Sequence, residues 1–293
     1  EYEVAGTDSA VIGLENADML DDSDLIFTFY SDAETRKQIE SQKLYEQIPA
    51  IERGSVVAAE DQSFVTASSM INPLTVPWTL ERYVEEVEIV RTTLGLGRVH
   101  LLGQSWGTWL GTEYALTHPD AFKTLILANG SANIPHLVSE LERLRAALGP
   151  ETVAMMQRHE AEGTIDHPEY KGAIDILNYR HVCRLQVWPD AVNASLSDWN
   201  MAPYRAIQGP NEFCYVGSIK DWNRVPDLHR ITQPALVLCG LHDELTPACS
   251  ALIHRNLPNS EIRVFGNSSH MPYWEEPEAY FAVLEAFLDR HSG

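Results

Sequence analysis

Arg98-Val-His-Leu-Leu-Gly-Gln-Ser105-Trp-Gly-Thr-Trp-Leu-Gly-Thr-Glu-Tyr-Ala-Leu-Thr-His-Pro119 decides how this chain is read. A short, largely apolar run ends in Gly103-Gln104-Ser105-Trp106-Gly107, and a helical pattern then continues through Leu110 and Tyr114 until Pro119 stops it. In a strand, Gly-x-Ser-x-Gly turn and helix, the serine is held on a strained turn, and the glycines let neighbouring backbone come close. The helix that starts there aims its positive end and unpaired N–H groups at any negative charge that develops. Five residues alone would also fit an inert serine on a glycine-flanked turn. The strand before and the helix after favour a nucleophile.

A serine needs a base, and the base needs an orienting group. Ala235-Leu-Val-Leu-Cys239 reads as a buried strand and is followed by Gly240-Leu-His-Asp243-Glu-Leu-Thr-Pro247. Glu261-Ile-Arg-Val-Phe265 reads as another, followed by Gly266-Asn-Ser-Ser-His270-Met-Pro272. Asp243 and His270 thus fall just beyond strand ends, where open α/β sheets place their sites. The order Ser105, Asp243, His270 is that of α/β-hydrolases. Asp or His in a loop is otherwise a turn residue or a solvated side chain.

Outward from this stretch, the sequence alternates strand and helix. At 293 residues and 44% hydrophobic content the chain can bury a large core. The first region pairs a hairpin expected at Glu1–Ala5 and Val11–Glu15 with a βαβ unit: strand Asp24–Phe29, helix Ala33–Ile51 and strand Ser55–Ala59. Asn72–Pro77 reads as a loop. Thr79 is expected to cap a helix with Leu80, Tyr83, Val84, Val87 and Leu94 on one face, ended by Gly95 and Gly97. Thr124–Ala128 is the strand after the elbow helix. From Ile134 to Asp227 the pattern turns helical and aromatic with no strand of the main sheet, then the sheet resumes at Ala235, and Pro277–Asp289 closes the chain as a helix. The expected fold is an α/β-hydrolase with a mostly parallel sheet: core residues 1–133 and 228–293, and a helical cap at 134–227 that roofs the site.

A net charge of −21 argues against nucleic acid or an anionic membrane as partner and reads mainly as a solubilising surface. No run approaches a membrane span, and Glu1 onward shows neither a basic nor an apolar leader pattern. Cys183, Cys214, Cys239 and Cys249 have no metal-type spacing, which suggests reduced thiols and a cytoplasmic setting. Neither a metal-binding cluster nor a phosphate-binding glycine loop is apparent, and the chemistry expected needs no cofactor.

With these elements placed, the chain resembles the proline iminopeptidases and tricorn-interacting aminopeptidases. The resemblance rests on Gly103–Gly107, on Asn178-Tyr-Arg-His-Val-Cys-Arg184 with Trp188-Pro189, on Gly209-Pro-Asn-Glu-Phe213, on Lys220-Asp-Trp222, and on Asp243-Glu244 with Ser269-His270-Met271. It covers roughly Thr79 to the end. It implies a serine aminopeptidase acting on short peptides or amino-acid amides, with proline as one candidate first residue. It implies that Glu212 and Glu244 hold the substrate's ammonium group, with Tyr204 facing the site from the cap. A solvated acid or an ion pair with a cap arginine is the plain alternative for Glu212, an acid that merely follows another in a loop is the alternative for Glu244, and packing is the alternative for Tyr204. Trp106 N–H, next to the nucleophile, is expected to be one oxyanion donor. His181 and Cys183 match a family segment and read as packing residues.

The resemblance fades before Thr79. The family has His-Gly-Gly-Pro-Gly after the first strand, and this chain has Thr28-Phe-Tyr-Ser-Asp-Ala33; after Asp61-Gln62 it has Ser63-Phe-Val-Thr-Ala-Ser68 in place of Gly-x-Gly-x-Ser. Either the second oxyanion N–H then comes from Phe29 or Tyr30 in a rebuilt loop, or the protein is slow or inactive. Two other readings stand beside the aminopeptidase: an esterase, lactonase or amidase for neutral substrates, indifferent to a free amine, and a non-catalytic hydrolase-fold binding protein whose Ser105 would not react with an organophosphonate.

Overall fold

The computed structural model describes residues 26–28, 33–53, 56–58, 76–197 and 200–292. The chain divides into two compact units, Glu1–Met70 with Glu85–Leu96, and Ile71–Val84 with Gly97–Gly293.

In the first unit, β1 (Ile26–Thr28) and β2 (Val56–Ala58) pair in parallel, Ile26 opposite Val56. The connection between them is helical, as a parallel pair requires. The single helix expected over Ala33–Ile51 is three: Ala33–Glu40, Lys43–Glu46 and Pro49–Glu52. Gln42 and Ile48 are extended, and Pro49 starts the last piece because proline fits a first helical turn and breaks an interior one. The expected hairpin and the Asp61–Ser68 segment lie outside the described residues.

The helix expected to begin at Thr79 begins at Val76 and runs to Thr93. Pro77 fits its first turn, so Thr79 lies within the helix and not ahead of it. Leu80 and Val84 are buried, whereas Leu94 falls just past the end and is exposed. Gly95 and Gly97 both take φ near +60°, the left-handed conformation that ends helices.

The second unit is built on a four-stranded sheet in the order β3-β4-β5-β6: Val99–Gln104, Phe122–Ala128, Ala235–Gly240 and Ser260–Phe265. All three pairings are parallel. Side chains alternate across the central strands. Leu125 and Leu127 face the elbow helix Trp106–Thr117, where a Cβ on Gly111 would rest 3.8 and 3.7 Å from them. Ile126, Ala128, Leu236 and Leu238 pack on the other side with Phe265, Tyr280 and Phe287 of the closing helix Pro277–Arg290. Between β4 and β5 the chain forms helices Ile134–Ala146, Pro150–Glu162, Pro168–His181, Asp190–Ser197 and Met201–Ile207 and a 3-10 turn at Val225–Arg230. Their apolar faces, including Leu137, Leu141, Met156 and Leu177, share a core with Trp109 and Phe213. Because the strands are parallel, the residues that follow β3, β4, β5 and β6 leave the sheet at one edge. Ser105, Asn129, Asp243 and His270 all come from those four exits.

Candidate active site

Ser105 has φ 55° and ψ −121°, a conformation that costs a residue with a side chain about 1–3 kcal/mol. Three bonds hold it there. Ser105 N–H donates to the Ala128 carbonyl (2.9 Å), and the Ser105 carbonyl accepts from Thr108 N–H (2.9 Å) and Thr108 Oγ1 (2.7 Å). The two elbow glycines are needed to different degrees. A Cβ at Gly103 would lie 2.0 Å from the Gly107 carbonyl oxygen, whereas at Gly107 nothing among the described residues lies within 4 Å. Trp106 opens the helix, where an N–H has no carbonyl one turn back to bond. Its indole meets Tyr83 edge to face at 5.5 Å. The other two oxyanion candidates, Phe29 and Tyr30, lie outside the described residues.

Asp243 is 1% exposed and fully bonded. Its Oδ1 accepts from His270 Nδ1 (2.8 Å) and Leu245 N–H (3.0 Å), and its Oδ2 accepts from Asn129 Nδ2 (2.6 Å). A carboxylate can only accept, so His270 carries its proton on Nδ1 and presents a lone pair at Nε2. That lone pair faces Gln104 Nε2 at 3.3 Å, and the same amide reaches the His270 carbonyl at 3.4 Å. Burial alone would drive the His270 pKa down; the charge and hydrogen bond of Asp243 outweigh it and raise it above the ordinary histidine value. Gly240 lets the His270 loop close on β5, since a Cβ there would lie 2.1 Å from the Ser269 carbonyl oxygen.

Ser105, Trp106 and His270 line a cavity of about 580 Å³ together with Tyr204, Glu212 and Glu244. Glu212 accepts from Tyr204 Oη and from Gln208 Nε2, both at 2.8 Å. Among the described residues it has no arginine partner; the nearby cap arginine, Arg145, pairs with Glu160. Burial, then the charge of Glu212, holds the Tyr204 phenol far above its usual range, so Tyr204 is the donor. Glu244 is fully buried, and neither of its oxygens has a hydrogen-bond partner among the described residues. Its Oε1 lies 3.8 Å from His270 Nε2. Burial, followed by the charges of Glu212 and Asp243, pushes its carboxyl well above the usual range. Both effects favour the neutral form of Glu244, and a cation beside it would favour the ionised one.

Sequence reasoning missed Asn129, Gln104 and Gln208. Asn129 is a non-glycine residue at φ 55° directly after β4, and its backbone N–H donates to the Leu238 carbonyl at 2.7 Å. The sequence signal was an Asn-Gly pair at a strand end, which marks a turn and says nothing of Asp243. A His-His-Glu cluster was missed as well: one ligating atom from each of His159, His167 and Glu169 falls within 4.8 Å of the others. The two rings stack at 4.7 Å and 18°, and His167 Nδ1 accepts from Glu169 N–H.

A sheet of this order, with a serine elbow after β3 and an Asp–His pair after β5 and β6, defines a class of hydrolase. The chain belongs to the α/β hydrolase fold family, which matches residues 40–277. Its relatives are more particular. It is 34% identical over 215 residues to a proline iminopeptidase of Saccharolobus solfataricus, covering 73% of this chain and 69% of that protein. To a proline iminopeptidase of Heyndrickxia coagulans it is 36% identical over 213 residues, covering 72% and 74%. The crystal structure of proline iminopeptidase from Mycobacterium smegmatis superposes with a TM-score of 0.68 at 30% identity over 91% of this chain and 89% of that one. Among the described residues no helix is long and apolar enough to cross a membrane.

Proposed function

We propose that the chain is a serine aminopeptidase that removes the first residue from short peptides or amino-acid amides. The observation that carries this reading is Glu244: a buried carboxyl with no partner, in the cavity that holds Ser105 and His270, with Glu212 beside it. An ammonium group supplies the partner it lacks, and a neutral ester does not. The names of the relatives, proline iminopeptidase, fit a substrate with a free amino terminus and make proline a natural first residue to try.

The geometry supports the following steps. Ser105 Oγ attacks the substrate carbonyl carbon as His270 Nε2 takes its proton, which requires Gln104 to yield its place at that nitrogen. Asp243 keeps His270 in the tautomer that accepts at Nε2 and stabilises the imidazolium. The negative oxygen of the tetrahedral intermediate meets Trp106 N–H. His270 then returns the proton to the leaving amine, and the carbon–nitrogen bond breaks. Water, deprotonated by His270, attacks the acyl-serine; the bond from the acyl carbon to Ser105 Oγ breaks, His270 returns its proton to that oxygen, and the amino acid leaves. The helices between residues 134 and 227 act as the cap: Ile174, Asn178, Trp188 and Leu196 supply cavity wall and limit entry to small or extended substrates.

The test is release of chromophore from proline and alanine arylamides with free or acetylated amino termini, with Ser105→Ala as blank. Cleavage confined to the free-amine forms is expected. Equal cleavage of acetylated forms would remove the amine anchor and leave an amidase or esterase.

A further inference from the structure

Helix Pro168–His181 lends Ile174 and Asn178 to the cavity and ends against the loops that carry the Asp–His pair. Its last residue touches both loops. His181 Nδ1 bonds the His242 carbonyl at 2.8 Å, and His270 N–H donates to the His181 carbonyl at 3.2 Å. A carbonyl can only accept, so Nδ1 bears the proton of His181. Burial, and to a lesser degree the charges of Arg180, His242 and Arg184, lowers the ring's pKa below the ordinary histidine value, against the opposing bond to the His242 carbonyl. A second tie lies three residues on. Arg184 N–H donates to Glu275 Oε1 (2.6 Å), and Glu275 also accepts from Ser269 N–H (2.6 Å) and Ser269 Oγ (2.8 Å). The residue before Asp243, the backbone of His270 and the residue before His270 are thereby fastened to one helix end.

We propose that His181 is a positioning residue: its ring holds the Asp243 loop and its carbonyl holds the His270 loop, so that the end of the cavity-lining helix sets the alignment of the Asp243–His270 pair. A hydrogen bond from Nδ1 is the part of this clamp that a side-chain change can remove without touching the catalytic residues. The proposal rests on the aminopeptidase reading only in its choice of substrate. A wall helix that is also the clamp makes alignment of the pair depend on how the cavity is filled.

Three variants separate positioning from bulk. His181→Phe keeps an aromatic ring and loses the donor. His181→Asn places an amide donor near the Nδ1 position. Glu275→Gln weakens the second tie. For the free-amine arylamides, His181→Phe is expected to lower kcat by about 10- to 100-fold, the scale of a small misplacement of reacting groups, with KM changed by less than about 3-fold. His181→Asn is expected to restore kcat to within about 3-fold of the wild type, and Glu275→Gln to fall between. The second readout needs no turnover: the low-field proton resonance of His270 Nδ1–H, bonded to Asp243, is expected to stay in place in His181→Asn and to shift or broaden in His181→Phe. An unmoved resonance in a folded His181→Phe overturns the proposal, as does a loss in His181→Asn equal to that in His181→Phe. Should the arylamides prove the wrong substrate, wild-type turnover is absent while the resonance comparison still decides.

Discussion

Asp243 and Glu244 are neighbours in one loop, equally buried, and their surroundings are opposite. Asp243 receives three hydrogen bonds, from His270, Asn129 and Leu245. Glu244 receives none among the described residues. The region around Asp243 is complete before any ligand arrives, which is what a preorganised catalytic pair requires. Around Glu244 and Glu212 the proposed substrate ammonium would supply the missing partner, and unpartnered burial there costs stability. On the proposed reading, the same residue chemistry serves catalysis in one place and recognition in the other, with the difference set by who supplies the partners.

The comparison can be broken most forcefully at Asp243. Asp243→Asn keeps size and burial but favours the wrong His270 tautomer, and kcat is expected to fall by about 10⁴ with little change in KM; a loss under tenfold in initial-rate measurements would mean that Asp243 does not orient the base. At Glu244 the pattern should invert. Glu244→Gln is expected to raise KM for free-amine substrates by about 10- to 100-fold, the worth of a hydrogen bond to a charged group, and to leave kcat much less affected. Isothermal titration of an amine inhibitor in buffers of different ionisation enthalpy sharpens the point, because binding to the wild type should release a proton and binding to Glu244→Gln should not.

The smallest effect concerns the empty enzyme. The folded-state pKa of Glu244 is raised, so above the unfolded value of about 4.3 the native chain binds more protons than the unfolded chain. Stability is then lost as pH rises from that value toward the raised one. Glu244→Gln removes the burden, and its Tm should exceed that of the wild type by roughly 2–4 °C at pH 8, with no difference at pH 4. A Tm gap of the same size at both pH values would show that burial of charge is not its cause.

Much of this was legible in the sequence, for a physical reason. The elbow is local: Gly103, Ser105 and Gly107 shape a turn whose neighbours in space are its neighbours in sequence. Asp243 and His270 could be read because each directly follows a strand-like run. Parallel strands then deliver what their ends carry to one edge. Asn129 could not be read, because its role appears only when β4 lies beside β5 and sets an amide 2.6 Å from a carboxylate 114 residues away. His181 escaped for the same reason. Its segment matches the family and reads as packing, whereas its two contacts with distant loops exist only in the fold. The division of Ala33–Ile51 into three short helices was written locally, in Pro49 and the extended Gln42 and Ile48, but composition rich in Lys, Glu and Gln spoke for one continuous helix.

All four cysteines, Cys183, Cys214, Cys239 and Cys249, are buried free thiols. Burial pushes Cys239, at the end of β5, and Cys249, in the helix after the Asp243 loop, up to about 12, and Cys214 up to about 11. A thiol held so far from its reactive thiolate is silent toward alkylating reagents in the closed fold. Cys239 and Cys249 flank Asp243 on either side, so each becomes a clock for its loop: the rate at which an alkylating reagent labels them measures how often that part of the sheet edge opens. Labelling of Cys239 or Cys249 by a thiol reagent would accordingly record breathing of the Asp243 loop.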